Sequence, residues 1–283
     1  MKVLANDGIS QTGVKALEKA GIEVITVKVA QEQLVNYINE NQVDVLLVRS
    51  ATTARKALID ACPSLKIIGR GGVGMDNIDV EYAREKGLKV INTPAASSSS
   101  VAELVFAHLF TGVRYLHDSN RNMPLDGDSR FKDLKKNYAA GSELRAKTIG
   151  IIGFGRIGQE VAKIAIGCGM NVVASDLYIS EADIQLDFFD GQRATFKMKD
   201  GTAIINAARG GVIDEVALVE ALDSGKLAFA GLDTFENEPI PALKVLMNGK
   251  ISLTPHIGAA TNEAQDRIGT ELASQIVSIM ENA

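Results

Sequence analysis

The sequence is short of the residues on which disulfide-stapled, nucleic-acid-binding and membrane-spanning proteins depend. Its 283 residues include two cysteines, Cys62 and Cys168, placed far apart. No disulfide framework is expected, and a reduced, cytoplasmic setting follows from that usage. Both thiols read as structural and inert, as most buried thiols are. Basic residues are not in excess: 30 Lys and Arg stand against 35 Asp and Glu, a formal charge of −5. A general nucleic-acid binder needs a basic surface to neutralise phosphates, so that class is set aside. A small basic pocket for one anionic metabolite stays compatible with the balance. Long apolar runs are also missing. The opening MKVLANDG turns polar after a few residues, so neither a signal peptide nor a membrane span is expected. Only 3 histidines occur, His108, His117 and His256, which leaves few candidates for proton transfer near neutral pH. No metal site is expected.

What is present is a regular alternation of strand-like and helix-like segments. Strands are predicted at 3–7, 23–28, 43–50, 66–69 and 89–92, and helices at 11–20, 31–39, 55–61 and 80–86. VDVLLVRS (43–50) is a near-continuous apolar run ending in polar residues, the pattern of a strand buried on both faces. This alternation implies a parallel sheet covered by helices on both sides. It stops at Thr93-Pro94 and the serines 97–100. Ser100 with Glu103 three residues later reads as a capping box, opening a helix over 101–116. That helix is apolar on nearly every side, so it is expected to be buried all round, between domains or between subunits. His108 within it reads as a satisfied core or interface residue. His117, at its end, reads as a cation suited to the helix dipole.

A second βα series begins at Thr148. TIGIIGFGRIGQEVAKIA (148–165) carries Gly153, Gly155 and Gly158. An apolar strand leads into the first glycine, a helix follows the third, and NVVASD (171–176) supplies a second strand ending in Asp176. This is the order of a dinucleotide-binding turn. Gly153 permits the tight turn, Gly155 lets backbone approach a pyrophosphate at the positive helix end, and Gly158 allows close helix–strand packing. Asp176 is placed to accept hydrogen bonds from the adenosine ribose and to repel a 2′-phosphate, which favours NAD over NADP.

Three later strands each end in charged or titratable residues. TAIINAARGG delivers Arg209, FAGLDTFENEP delivers Asp233 and Glu238, and ISLTPHIGAAT delivers His256. Ligands bind beyond the carboxyl ends of strands in open α/β sheets. His256 is therefore the candidate acid/base, with Glu238 to orient its ring and raise its pKa. Arg209 is suited to hold carboxylate and reacting oxygen in its planar fork.

These blocks, GFGRIG, SD, NAARGG, LDTFENEP and TPHIGAAT in that order, resemble the signature of the D-isomer-specific 2-hydroxyacid dehydrogenases. LLVRSAT and GRGGVGMDNID resemble the D-3-phosphoglycerate dehydrogenase branch. The resemblance covers nearly the whole chain. It implies an α/β fold of two doubly wound parallel-sheet domains, with a Rossmann domain (98–256) inserted into a split flavodoxin-like substrate domain (1–97 and 257–283). Helices 100–116 and 261–280 would cross between them. It implies that Arg209, Glu238 and His256 form the catalytic trio. It further implies that Arg156, Ile157, Ala207, Ala208, Asp233 and Gly258 join the glycines and Asp176 in contacting NAD. Asp233 would hold the nicotinamide carboxamide. Backbone amides of Gly72, Val73 and Gly74 would hold the substrate carboxylate. Arg49, Ser50 and Arg70 are candidates for a substrate phosphate, since both arginines terminate apolar strands, and Arg49 has hydroxyls beside it.

The implied activity is NAD-dependent oxidation of 3-phospho-D-glycerate to 3-phosphohydroxypyruvate, the entry to serine synthesis, by a homodimer joined through its cofactor domain. A glyoxylate or hydroxypyruvate reductase is the alternative. An NAD-sensing corepressor-like binding protein is a third reading, disfavoured by the complete Arg, Glu and His set. The sequence departs from the family pattern in two places. Position 73 is valine where several relatives have threonine. Between Asp176 and Thr202 the chain is too short for a βαβ unit of roughly 30 residues. The stretch 192–196 reads as two distant pieces joined, either because a segment is missing or through a true deletion. The end at Ala283 leaves no room for the regulatory domain of some relatives.

Overall fold

The computed structural model describes residues 1–176 and 201–282, so the junction predicted at 192–196 lies outside the described residues. The chain divides into two compact units: Met1–Ser97 with Ala259–Ala283, and Ser98–Gly258.

In the first unit the elements are β1 (Lys2–Ala5), α1 (Gln11–Lys19), β2 (Glu23–Ile25), α2 (Leu34–Asn41), β3 (Val45–Val48), α3 (Lys56–Ala61), β4 (Ile67–Arg70), α4 (Val80–Glu85) and β5 (Lys89–Asn92). The strands form one parallel sheet in the order β2-β1-β3-β4-β5, which is the flavodoxin-like winding. Alternation decides which side chains go where. Leu4, Leu46, Val48 and Ile68 enter one core. Val3, Val45, Leu47 and Ile67 enter the other, where Ile268, Leu272 and Ile276 of the C-terminal helix (Asn262–Glu281) cover them. That helix packs on α1. The strand predicted over 43–50 stops at Val48. The Arg49 amide leaves the ladder and donates instead to the Asp7 carboxylate at 2.6 Å.

The second unit runs α5 (Ser98–Val113), α6 (Leu116–Asp126), α7 (Phe131–Asn137), β6 (Thr148–Ile152), α8 (Arg156–Gly167), β7 (Asn171–Ser175), β8 (Thr202–Asn206), α9 (Glu215–Asp223), β9 (Leu227–Leu232), α10 (Leu243–Leu246) and β10 (Ile251–Leu253). All strand pairs are parallel. Among the described residues they form two sheets, β6-β7 and β10-β9-β8. One core joins them: Ile151 of β6, Ala203 and Ile205 of β8 and Phe229 of β9 pack with Ala102, Phe106 and Leu109 of α5.

α5 begins at Ser98, so Ser100 lies inside the helix, 5% exposed, and is not its N-cap. The helix ends at Val113 because Tyr115 adopts a left-handed φ of 55° and turns the chain into α6. Within the single chain it is not buried all round, since Phe110 is 42% exposed. His117 falls in the first turn of α6, the positive end of a helix, and so is not a cation complementing a dipole. Cys62 is buried, which pushes its thiol pKa up, and both cysteines are unpaired. No helix among the described residues is long and apolar enough to cross a membrane.

Candidate active site

In the first unit, the loop after β3 is tied down before any ligand is considered. Asp7 accepts from the Arg49 amide (2.6 Å), the Thr52 amide (3.0 Å) and the Thr52 hydroxyl (2.7 Å). The Asn77 side-chain amide donates to the carbonyls of Arg49 (2.7 Å) and Thr52 (2.6 Å). With its backbone held, the Arg49 side chain lies along Gly71, where an added Cβ would meet its Cγ at 3.5 Å. Among the described residues no hydrogen bond or ion pair engages the Arg49 guanidinium. Ser50 beside it is exposed.

The other predicted arginine differs. Arg70 turns back on its own loop, with Nη1 donating to the Gly71 carbonyl at 2.7 Å and Nε to Asn77 at 3.2 Å. Its guanidinium packs over Gly72, whose φ of 150° and missing Cβ leave the room. The Gly72 amide donates to the Arg70 carbonyl at 2.9 Å, so it is already spent within the loop. Of the three predicted carboxylate-binding amides, only those of Val73 and Gly74 have no partner among the described residues.

In the second unit, the turn between β6 and α8 carries the glycine motif. Gly153 has a φ of 88°. A Cβ at Gly153 or Gly155 would meet nothing within 4 Å, whereas one at Gly158 would lie 2.3 Å from the Gly153 carbonyl oxygen. Gly155 is the N-cap of α8 and supplies no side-chain cap, so the amides of the first turn face an open mouth. Arg156 is exposed and Ile157 half-buried in that turn. Asp176, at the end of β7, reaches back across the turn and accepts from the Phe154 amide at 2.6 Å.

The ends of β8, β9 and β10 converge. Asn206 folds the turn after β8, accepting from the Ala208 amide at 3.0 Å and donating to the Arg209 carbonyl at 2.8 Å. Ala207 is half-buried there and Ala208 exposed. Gly210 then passes so close to the next loop that a Cβ would lie 1.8 Å from the Phe235 carbonyl oxygen. That approach requires glycine, and it brings the Arg209 turn beside the loop of Glu238. A second clasp holds the same loop. The Glu215 amide donates to Glu236 (3.0 Å) and the Glu236 amide donates to Glu215 (2.8 Å).

Glu238 Oε1 accepts from the Phe235 amide at 3.0 Å, and Oε2 lies 2.8 Å from His256 Nδ1. Burial opposes the Glu238 charge. The hydrogen bonds from His256 and the Phe235 amide, together with the charges of His256 and Arg209, outweigh it and hold the carboxyl below its ordinary pKa. An ionised carboxylate only accepts, so Nδ1 carries a hydrogen, and in the neutral form of the ring the basic lone pair is on Nε2. The ring is 46% exposed, so that lone pair is open to a reactant.

Asp233 sits behind this pair, 1% exposed. Its carboxylate accepts from the Thr254 hydroxyl (2.7 Å) and the amides of Ile257 (2.8 Å) and Gly258 (2.9 Å). These bonds keep residues 257 and 258 with the second unit, two residues beyond the boundary read from sequence.

His108 is satisfied in the core, between Ser252 (2.8 Å) and Thr254 (3.0 Å). Burial lowers its pKa from the ordinary 6.5, with Asp233 pulling weakly the other way. Below 6.5 the unfolded chain takes up a proton that the folded chain resists, so this contribution to stability is full above 6.5 and is lost as the pH falls. Urea midpoints at pH 5.5 and 7.5 should therefore differ more for the native protein than for His108→Phe. Equal shifts in both proteins would contradict a buried neutral His108.

Asp7, Asn77, Asn206, Glu215 and Thr254 escaped the sequence reading. The available signal was weak: a small polar residue at or near a strand end, a position also common in ordinary turns.

Known proteins resemble this chain over nearly its whole length. The profile of the D-isomer specific 2-hydroxyacid dehydrogenase catalytic domain matches residues 3–283. A hydroxypyruvate reductase from Thermotoga maritima is 41% identical over 304 aligned positions, covering 97% of both chains. The alignment is longer than the 283 residues here, so that relative has stretches without a counterpart in this chain. A D-3-phosphoglycerate dehydrogenase from Methanocaldococcus jannaschii is 38% identical over 99% of this chain but only 57% of its own, so the chain spans little more than half of that relative. Among solved structures, a D-lactate dehydrogenase from Aquifex aeolicus, complexed with NAD and lactic acid, superposes with a TM-score of 0.74 at 25% identity. It covers 100% of this chain and 96% of its own.

Proposed function

The chain belongs to the D-isomer-specific 2-hydroxyacid dehydrogenase family, and we propose that it oxidises 3-phospho-D-glycerate to 3-phosphohydroxypyruvate with NAD. The carrying observation for the chemistry is the His256–Glu238 pair at 2.8 Å, beside the Arg209 turn and beyond the strand ends. His256 Nε2 takes the proton of the substrate hydroxyl and returns it in the reverse direction. The Glu238 carboxylate balances the charge the imidazole gains. Arg209 holds the substrate carboxylate and the reacting oxygen, stabilising negative charge as it develops.

The glycine turn fits a dinucleotide. It presents uncapped helix amides to open space at Gly153 and Gly155, while Gly158 is consumed in packing. Gly153, Gly155, Arg156, Ile157 and Gly158 would hold the pyrophosphate, Asp176 the ribose, and Ala207 and Ala208 would line the nicotinamide side. When bound, NAD supplies the acceptor for the hydride leaving the substrate's hydroxyl carbon. Replacing Asp176 by Ala should weaken NAD binding about 10-fold or more, the scale of one charge-assisted hydrogen bond, and raise the relative use of NADP. KM ratios for the two cofactors measure this. A native protein that already prefers NADP would overturn the role given to Asp176.

For the substrate, Arg49 supports the phosphorylated acid: a fixed backbone, a guanidinium without a partner among the described residues, and the free Val73 and Gly74 amides on the neighbouring loop. Arg70 is assigned to shaping that loop. The second reading, a hydroxypyruvate or glyoxylate reductase, is favoured by the Thermotoga maritima relative, which matches over nearly its full length. NADH formation from 3-phospho-D-glycerate and D-glycerate, set beside NADH consumption with hydroxypyruvate and glyoxylate, separates them. We assign a homodimer to the second unit, on the exposed apolar residues Leu116 (53%), Leu125 (74%) and Phe131 (57%) of α6 and α7.

A further inference from the structure

His256 stands in an unusual backbone conformation. Its φ is 55°, in the left-handed region that non-glycine residues avoid at a cost. Such a turn persists only when its surroundings over-determine it. The surroundings are specific. The His256 amide donates to the Thr254 carbonyl at 3.0 Å. The next two amides, of Ile257 and Gly258, both end on the Asp233 carboxylate. The turn that aims the His256 ring is therefore set by where Asp233 points.

Asp233 is aimed in turn by Thr254, whose hydroxyl donates to Oδ1 at 2.7 Å. A hydroxyl has one hydrogen, so with that hydrogen committed Thr254 must act as acceptor toward His108 Nε2 at 3.0 Å. Nε2 then carries the hydrogen, and Nδ1 of the neutral ring accepts from Ser252 at 2.8 Å. Every donor along this chain has one acceptor, and the order cannot be reversed while Asp233 is ionised. Packing fixes the start of the chain. His108 reaches from α5 across β9 to β10 because Gly231 lies beneath it, where a Cβ would be 2.7 Å from the His108 Cβ. Gly231 pairs with Ser252 in the sheet, which puts the ring directly over both hydroxyls.

We propose that His108 is a positioning residue for the reaction: through Thr254 it orients the buried Asp233 carboxylate, and through Asp233 it holds the left-handed turn that presents His256. This rests on the reading of His256 as the acid/base. His108 touches no reactant, and its effect is on geometry. Small displacements of a reacting group are costly in rate, so the loss should fall on turnover rather than on binding.

The test compares Thr254→Val, Thr254→Ser, His108→Phe and the double variant His108→Phe/Thr254→Val by steady-state kinetics, with thermal melts alongside. Thr254→Val should lower kcat about 10-fold and change the KM for acid and NAD by less than about 3-fold, because misaligned groups lose rate before they lose affinity. Thr254→Ser, which keeps the hydroxyl, should stay within about 2-fold of native. His108→Phe should lower kcat about as much as Thr254→Val, and the double variant should be no worse than either, since residues in one chain are not additive. If Thr254→Val does not fold, the Thr254→Ser and His108→Phe pair still decides the matter. Native kcat in His108→Phe, or equal loss in Thr254→Ser and Thr254→Val, overturns the positioning role. His256→Asn separates the two levels. If that variant is inactive while His108→Phe is native-like, the acid/base reading stands and the relay falls. If His256→Asn itself turns over normally, the reading of the site falls first.

Discussion

Replacing His256 by Asn is expected to lower turnover about 10²–10⁴-fold, the usual contribution of a positioned general acid/base, while leaving NADH binding close to native. The geometry explains why the loss should be large and confined to the chemical step. Glu238 accepts from Nδ1 at 2.8 Å and is held below its ordinary pKa, so it stays ionised across the neutral range. That fixes a hydrogen on Nδ1 and leaves Nε2 as the basic atom of the neutral ring. Asparagine keeps a polar side chain of similar reach but has no lone pair that accepts a proton near neutral pH. The glycine turn and Asp176 are untouched by the change, so titration of NADH fluorescence serves as the control for folding and cofactor affinity. Near-normal turnover with intact NADH binding would remove His256 from the mechanism.

Arg49→Ala should separate the phosphorylated from the unphosphorylated acid. In the native protein kcat/KM for 3-phospho-D-glycerate should exceed that for D-glycerate, and the variant should lose most of that preference. Two charge-assisted hydrogen bonds from one guanidinium amount to about 3 kcal/mol net, or about 10²-fold in kcat/KM. Activity on D-glycerate should change little, because the Asp7 and Asn77 bonds hold the loop through its backbone and do not involve the Arg49 side chain. Arg49→Lys should fall between the two, since it keeps the charge but not the planar fork. Equal native activity on both acids would remove the phosphate assignment and favour the hydroxypyruvate or glyoxylate reading, with the dehydrogenase chemistry intact.

Period and punctuation in the sequence determined most of the scaffold. The alternation of apolar runs with amphipathic segments specified parallel sheets, because a strand buried on both faces has no polar face to show. The glycines of 153–158 followed by a helix specified an anion-ready turn, because only that order combines a tight turn with exposed amides. The positions of Arg209, Glu238 and His256 after three apolar strands also followed, since parallel strands bring their carboxyl ends to one edge. Tertiary structure decided what those side chains do. Arg49 and Arg70 look alike in sequence, each closing an apolar strand. Only the fold shows that Arg70 is spent on Gly71 and Asn77 while Arg49 is not. The Gly72 amide looked available until the loop turned it onto the Arg70 carbonyl. α5 ends at Val113 because Tyr115 takes a left-handed φ, a conformation its residue type does not favour, while the nearby Gly112 lies inside the helix, so the local signal pointed to the wrong residue. His108 was legible as a core histidine, but not as the head of a chain reaching Asp233. That chain joins α5, β9 and β10, and its hydrogen-bond partners lie more than a hundred residues away. Local propensity and periodicity act over a few residues, whereas a buried polar group is satisfied by whatever the packed chain brings beside it.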